Sequence, residues 1–384
     1  MSYRGRVALL TYSTKPRGGV VHTLALAEAL TTAGVDVHIF ALGAEGGAFF
    51  RDTPVPFTLF PAPSGTGSLE EKVFASVDAL ATGLAGVADR FDLCHSQDCI
   101  SARAATRIRD EKAGPPVLRT VHHVDDFTTQ ALIDCQRNAI IEPDHLLVVS
   151  EQWRGILRDD YGVTADVVRN GVDLSRFSPV TAQRSAELRA SVHAEDRFLF
   201  MSVGGIEPRK GSKTLFEALG VLRERGQRPV LVMLGGHSFQ DYKIYRDEAL
   251  AMLPDLGLEL GTDVIEVGTV PEDVLGAWYR TADALAFPSL KEGFGLVALE
   301  GLAANLPVVA SDLPVFREFL TDGRDALLPA AGDAKALADA LERIMTDERL
   351  RSALVAGGRA VLPSFTWSAS AARHAEIYQA VRPV

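Results

Sequence analysis

Two glutamates eight positions apart, Glu292 and Glu300, bracket a glycine-broken turn, Gly293-Phe294-Gly295-Leu296-Val297. The apolar run at 284–287 reads as a buried strand, and a helix pattern starts at Leu296. The free N–H groups at a helix start, with the positive end of its dipole, attract an anion. Gly293 and Gly295 let the backbone approach a ligand that a Cβ would hold away. Carboxylates do not bind a diphosphate, so Glu292 and Glu300 are expected to meet hydroxyls. The segment suits a ligand with phosphates in its middle and hydroxyl-rich groups at both ends, which describes a nucleotide-sugar.

Cations that would complement such a ligand stand in Gly204-Gly205-Ile206-Glu207-Pro208-Arg209-Lys210-Gly211, just past another strand pattern. Arginine offers a planar fork and lysine a point charge, both suited to a diphosphate that gains charge as its bond to the sugar breaks. The alternative for Arg209 and Lys210 is a solvated basic turn. Near the N-terminus, Arg17-Gly18-Gly19-Val20-Val21-His22 places a double glycine at a helix start, where N–H groups could face phosphate or sugar. His22 reads equally well as a plain first-turn helix residue. His122 closes a strand pattern in Thr120-Val121-His122-His123, where an α/β sheet places its chemistry. A neutral imidazole there can offer an N–H to a sugar hydroxyl. Gln97 and Asp98 end another strand pattern in polar residues. Asn170 heads an Asn-Gly turn between the two halves of the chain.

These residues hang on short β-branched runs that alternate with helical segments, the pattern of βαβ units and a parallel sheet. Strands are expected at 7–10, 35–40, 57–60, 93–95, 117–121, 146–149 and 165–168, and then at 198–203, 230–234, 264–267, 284–287, 308–310 and 326–328. The pattern breaks at Arg176-Phe177-Ser178-Pro179, which divides the chain into a first Rossmann-like domain at 1–178 and a nucleotide-sugar-binding domain at 179–362. An amphipathic helix at 363–384, with Ser364 or Thr366 as its N-cap candidate, ends the chain. The expected fold class is α/β, two doubly wound Rossmann-like domains with ligand between them.

At 384 residues with a net charge of −11, the chain has room for two domains and no basic run for nucleic acid. No stretch is long and apolar enough for a membrane span, and no secretion signal is evident. Three cysteines make no disulfide framework, which fits the cytoplasm. Cys94-His95 and Cys99 match no standard zinc spacing, and no metal site is expected. The modest basic stripe of Arg103, Arg107 and Arg109, set against the acidic whole, favours a soluble acceptor over a membrane one.

Glu292, seven residues and Glu300, preceded by Pro288-Ser289, resemble the E-x7-E signature of glycosyltransferase family 4, retaining enzymes of the GT-B fold. The resemblance spans essentially the whole chain. It implies that Glu292 meets the sugar, Glu300 the ribose, and the backbone of Gly295, Leu296 and Val297 the diphosphate. Gly18, Gly19 and His122 match cleft positions, Lys210 a donor cation, and Gly268 a backbone contact to the base. The first domain becomes the acceptor side, with His22, Gln97, Asp98 and Asn170 as its candidates and satisfied core as the alternative for Gln97 and Asp98. Where family members place an arginine this chain has Gly205, so Arg209 is the candidate replacement. The terminal helix is expected to cross back to the first domain. Details of the two glycine loops resemble an actinobacterial subgroup often encoded near nitrilase-type genes. The resemblance implies a metal-independent transferase that uses a nucleoside-diphosphate sugar, with UDP-sugar ahead of GDP-sugar. A non-enzymatic nucleotide-sugar sensor, or a GT-B epimerase or phosphorylase, is the alternative. A phosphorylase's pyridoxal-phosphate lysine has no signal here.

Overall fold

The computed structural model describes residues 3–63, 66–236 and 242–381. The first half forms β1 (Arg6–Leu10), β2 (Asp36–Gly43), β3 (Phe57–Pro61), β4 (Leu93–Ser96), β5 (Val117–Val121), β6 (His145–Val148) and β7 (Asp166–Val167). They make one sheet in the order β3-β2-β1-β4-β5-β6-β7, and every neighbouring pair is parallel. Parallel neighbours need crossovers, and helices on both faces bury the central strands. β1 holds Val7, Ala8, Leu9 and Leu10 fully inside, which explains its unbroken apolar run.

Connections leave β1 and β4 in opposite directions across the sheet. A crevice therefore opens at their carboxyl ends, where Gly18 and Gly19 start one helix and Gln97 and Asp98 lead into another. Local chemistry sets where the helices start. Ser68 and Glu71 form a reciprocal capping box for Leu69–Leu84, and Asp98 caps Cys99–Lys112.

The second half repeats the device with β8 (Leu199–Val203), β9 (Val230–Leu234), β10 (Val264–Gly268), β11 (Ala284–Phe287) and β12 (Val308–Ala310). Their order is β10-β9-β8-β11-β12, all parallel. The order reverses between β8 and β11, so the loops after these two strands meet at the crevice. The strand expected at 326–328 is reduced to single bridges, Leu327 to Val309 and Ala326 to Asp322. The N–H of Leu328 goes to the Asp322 carboxylate and Pro329 has none, so no ladder extends.

The chain forms two compact units, 1–171 joined by 365–384, and 172–364. The break after Gly171 falls ahead of the one expected at Ser178. The intervening residues pack on the second unit, with Phe177 edge-on to Tyr279. In the first unit the terminal helix Trp367–Val381 lies against the helix Gly18–Thr32 and sends Ala371, Ala375, Ile377 and Tyr378 into its core. Thr366, not Ser364, caps it, accepting from the N–H of Ala369 at 3.2 Å. Among the described residues, no helix is long and apolar enough to cross a membrane.

Candidate active site

In the second unit the loops after β8 and β11 are zipped together by backbone. The carbonyl of Arg209 accepts from Leu290 N at 2.7 Å, and a Cβ on Gly211 would overlap the Pro288 carbonyl. This contact brings Lys210 onto Glu292, with Nζ 2.6 Å from Oε1. Ser289 donates to the same oxygen at 2.8 Å. Arg209 reaches toward it from 3.8 Å while pairing with Glu207 at 3.1 Å. Gly204, at φ +132°, lets the Lys210 stem cross its backbone, and the ammonium sits 4.7 Å from the Phe287 ring centre. The lysine is thereby fixed in place.

Burial alone would raise the Glu292 carboxyl, but Lys210, Arg209 and the Ser289 hydroxyl outweigh it and hold the group below its ordinary range. Burial pushes Lys210 down, and Glu292 opposes that shift. The pair is thus a charged one.

Gly295 takes φ +91° as N-cap of the helix Leu296–Ala303. A Cβ there would overlap the Phe316 ring, so only glycine fits. No side chain caps this helix and its first turn carries no acid. The partly exposed Leu296 and Val297 therefore present the start of a helix dipole next to Gly293. Phe294, expected at the donor, turns its side chain inward and stacks on Phe319 at 5.4 Å. It anchors the loop, and only its backbone borders the crevice.

Glu300 sits one turn further on, 7% exposed, with Oε1 accepting from Arg176 at 3.0 Å and Oε2 from the Tyr279 hydroxyl at 2.7 Å. Gly268, at φ +78°, ends β10 and accepts from Gly235 N at 2.9 Å. Gly205 is packed too closely for any side chain, since a Cβ would stand 2.7 Å from the Gly236 carbonyl. No arginine could occupy that position in this loop.

The first unit gathers a separate constellation of histidines. His122 Nε2 lies 3.0 Å from Gln97 Oε1, and the Gln97 amide lies 3.2 Å from His95 Nε2. His95 completes the chain with Thr120 at 2.8 Å and the Tyr378 hydroxyl at 2.7 Å. His22 Nδ1 meets Asn170 Oδ1 at 2.8 Å. Its ring stands edge-on to His122 at 4.6 Å and to Trp367 at 5.4 Å. Burial drives His22 down to about 3 and His374 to about 4, and holds His95 and His122 well below the usual histidine range. All four rings are neutral at pH 7, so His122 can donate or accept without carrying charge.

Gly19 adjoins this cluster, 3.8 Å from His122 Cδ2 measured from an ideal Cβ, whereas Gly18 faces open space. Asp98 is committed elsewhere: its oxygens accept from Ser101 N at 2.7 Å and Tyr12 N at 2.9 Å. Among the described residues no group of three or more His, Cys, Asp or Glu is placed to hold a metal, and Cys94, Cys99 and Cys135 are free thiols.

Sequence reading missed Arg176, Tyr279 and Ser289 around the two glutamates, and Tyr378 and His374 beside the histidines. Arg176 stood in the polar, proline-marked stretch that signalled the domain break, and nothing local ties it to Glu300. Ser289 lies three residues before Glu292, but its type alone does not say where its hydroxyl points. Tyr279, Tyr378 and His374 depend on contacts between distant segments.

Two family models match in series: Glycosyltransferase Family 4 over residues 16–176, and Glycosyl transferases group 1 over 183–361. With two parallel Rossmann-like units and these sites, the chain belongs to the GT-B glycosyltransferases. It is 32% identical to the D-inositol 3-phosphate glycosyltransferase of Frankia alni, over 73% of this chain and 72% of that protein. The enzyme of the same description from Actinosynnema mirum is 30% identical over 94% of both. Among solved structures it resembles sucrose-phosphate synthase from Thermosynechococcus elongatus (TM-score 0.81, 23% identity, 98% of this chain and 99% of that one). It also resembles Anabaena HepE in complex with UDP and glucose (TM-score 0.80, 18% identity, 98% and 100%).

Proposed function

We propose that the chain transfers a sugar, with retention of anomeric configuration, from a nucleoside-diphosphate sugar to a small soluble hydroxylated acceptor. The observation that carries this reading is the partly buried Lys210–Glu292 pair, lying between the β8 and β11 loops beside the uncapped helix Leu296–Ala303. On donor binding, Lys210 and Arg209 face the diphosphate and neutralise the charge it gains as the glycosidic bond breaks. Glu292 accepts from sugar hydroxyls, and Glu300 from the ribose. His122, neutral and tied to Gln97, offers a hydrogen bond without repelling a forming cation. In this reading the acceptor hydroxyl attacks on the face the diphosphate leaves, and the departing phosphate oxygen takes its proton.

Lys210, Arg209 and the helix dipole supply the positive charge, and the reaction is expected to need no metal. The UDP-containing structures of HepE favour a uridine donor over a guanosine one. The D-inositol 3-phosphate relatives favour a soluble polyol as acceptor. The test is a matrix of UDP-, GDP- and ADP-sugars against polyol and polyol-phosphate acceptors, with and without EDTA, and the anomeric configuration of the product read by NMR. Inverted product would end the retention assignment, and loss of activity in EDTA would end the metal-free one. No turnover with any donor would remove the transferase proposal for this site.

A further inference from the structure

Glu300 is held from two sides, and both holds depend on the stretch Leu174–Phe177 that follows the break between the units. Arg176 donates one N–H to Glu300 at 3.0 Å and lies 2.9 Å from Glu272 through its other terminal nitrogen. Its guanidinium thus bridges two carboxylates that belong to different helices, Glu272–Thr281 and Leu296–Ala303. The second hold is Tyr279, fully buried, which donates to the other oxygen of Glu300. Phe177 packs edge-on against the Tyr279 ring at 5.3 Å. Gly276 has no room for a side chain, because a Cβ would overlap the Arg176 carbonyl. The segment is therefore pressed against the helix Glu272–Thr281 by backbone as well as by side chains.

A carboxylate offers about four acceptor positions. Arg176 takes one on Oε1 and Tyr279 one on Oε2, which leaves acceptor capacity on each oxygen. That arrangement matches two adjacent hydroxyls, the vicinal diol of a ribose, provided the carboxylate stays in this rotamer. A glutamate has three torsions, and a methylene stem alone would not keep it there. The planar fork of arginine does so, with one terminal nitrogen on each carboxylate, whereas a lysine offers a single point charge in place of two donors at fixed separation.

We infer that Arg176 is a positioning residue for the donor diol: it acts through Glu300, clamping that carboxylate in a diol-accepting pose from the segment that enters the second unit. The inference rests on the proposed donor role of Glu300 and deepens it. It makes the segment after Gly171 part of donor recognition, although no atom of Arg176 needs to touch the ligand.

The experiment measures UDP binding by calorimetry, with ADP and GDP in parallel, for wild type, E300Q, R176M, R176K and the double variant R176M/E300Q. Donor KM and kcat follow for whichever sugar is turned over. R176M is expected to weaken binding of the preferred diphosphate about 10- to 100-fold, the range of a lost charged hydrogen bond, with kcat changed little. R176K recovers part of the loss. The double variant binds no worse than E300Q, because Arg176 has nothing to position once the carboxylate is gone.

Unchanged affinity in R176M beside a loss in E300Q would overturn the inference and leave the donor site standing. A double variant that loses the sum of both effects would overturn it too. Unchanged affinity in E300Q itself would instead remove the donor role of Glu300. Thermal melts report folding, and if R176M does not fold, the R176K and E300Q arms carry the comparison. Wild-type affinity in R176K, which lacks the rigid fork, would then count against the clamp.

Discussion

Four neutral histidines inside one unit make its stability depend steeply on acid. His22 and His374 are each 1% exposed, with folded values of about 3 and about 4 against an ordinary 6.5. The dominant cause for both is burial, reinforced at His22 by His374. Each ring stays neutral when folded and takes up its proton near pH 6.5 when unfolded, so acid favours the unfolded chain. Their contribution is whole above pH 6.5 and is lost as the pH falls toward the folded values. At pH 5 the unfolded chain gains about 1.5 units' worth of protonation per ring, or about 2 kcal/mol each and about 4 kcal/mol for the two. For a unit of this size that is a drop of roughly 8 to 16 °C in Tm. His95 and His122 act with the same sign.

The assay is thermal or urea unfolding at pH 7.5 and pH 5.0, followed by tryptophan fluorescence. Trp153 and Trp367 lie in the first unit and Trp278 in the second, so a W278F background reports the first unit alone. His374→Gln in that background should shrink the pH 7.5-to-5.0 difference by about 2 kcal/mol. A first unit equally stable at both pH values would refute the reasoning. So would a His374→Gln protein with the full wild-type difference, since the rings could not then be buried and neutral.

Lys210→Ala should lower kcat by about 100- to 1,000-fold while leaving the fold intact, because its charge matters most when the diphosphate leaves; steady-state kinetics decide it, and wild-type turnover would sink the role. Glu300→Ala should raise donor KM more than it lowers kcat, read from the same kinetics. Gly295→Ala should destabilise the second unit by about 2 to 4 kcal/mol, combining a disfavoured positive φ with overlap on Phe316; urea melts that match wild type would contradict it. Gly171→Ala should loosen the terminal helix, because a Cβ there overlaps the backbone of Thr366 and Trp367. Limited proteolysis should then cut near residue 365 in the variant before the wild type.

Much of the candidate site in the second unit was legible in the chain because it is local. The turn Gly293-Phe294-Gly295 and the lysine before Gly211 lie within short segments, where strand, glycine and helix start are neighbours in sequence. β5, β9, β11 and β12 begin and end where their apolar runs do. Periodicity also located the terminal helix. It could not say that Phe294 would point into the core, because its partner Phe319 lies 25 residues away, nor that Leu328 would give its N–H to Asp322, a side-chain contact that apolar periodicity does not register.

The sequence by itself determined two βαβ series, their glycine turns and the types of residue at their strand ends. Only the tertiary structure decided which charges meet. Topology, by reversing strand order between β8 and β11, sets Lys210 on Glu292, 82 positions apart. Packing of the segment 174–177 sets Arg176 on Glu300, 124 positions apart. The return of the last helix puts Tyr378 on His95, 283 positions apart. Local propensity acts over a few residues, whereas a buried charge or imidazole must find its partner wherever the fold brings one.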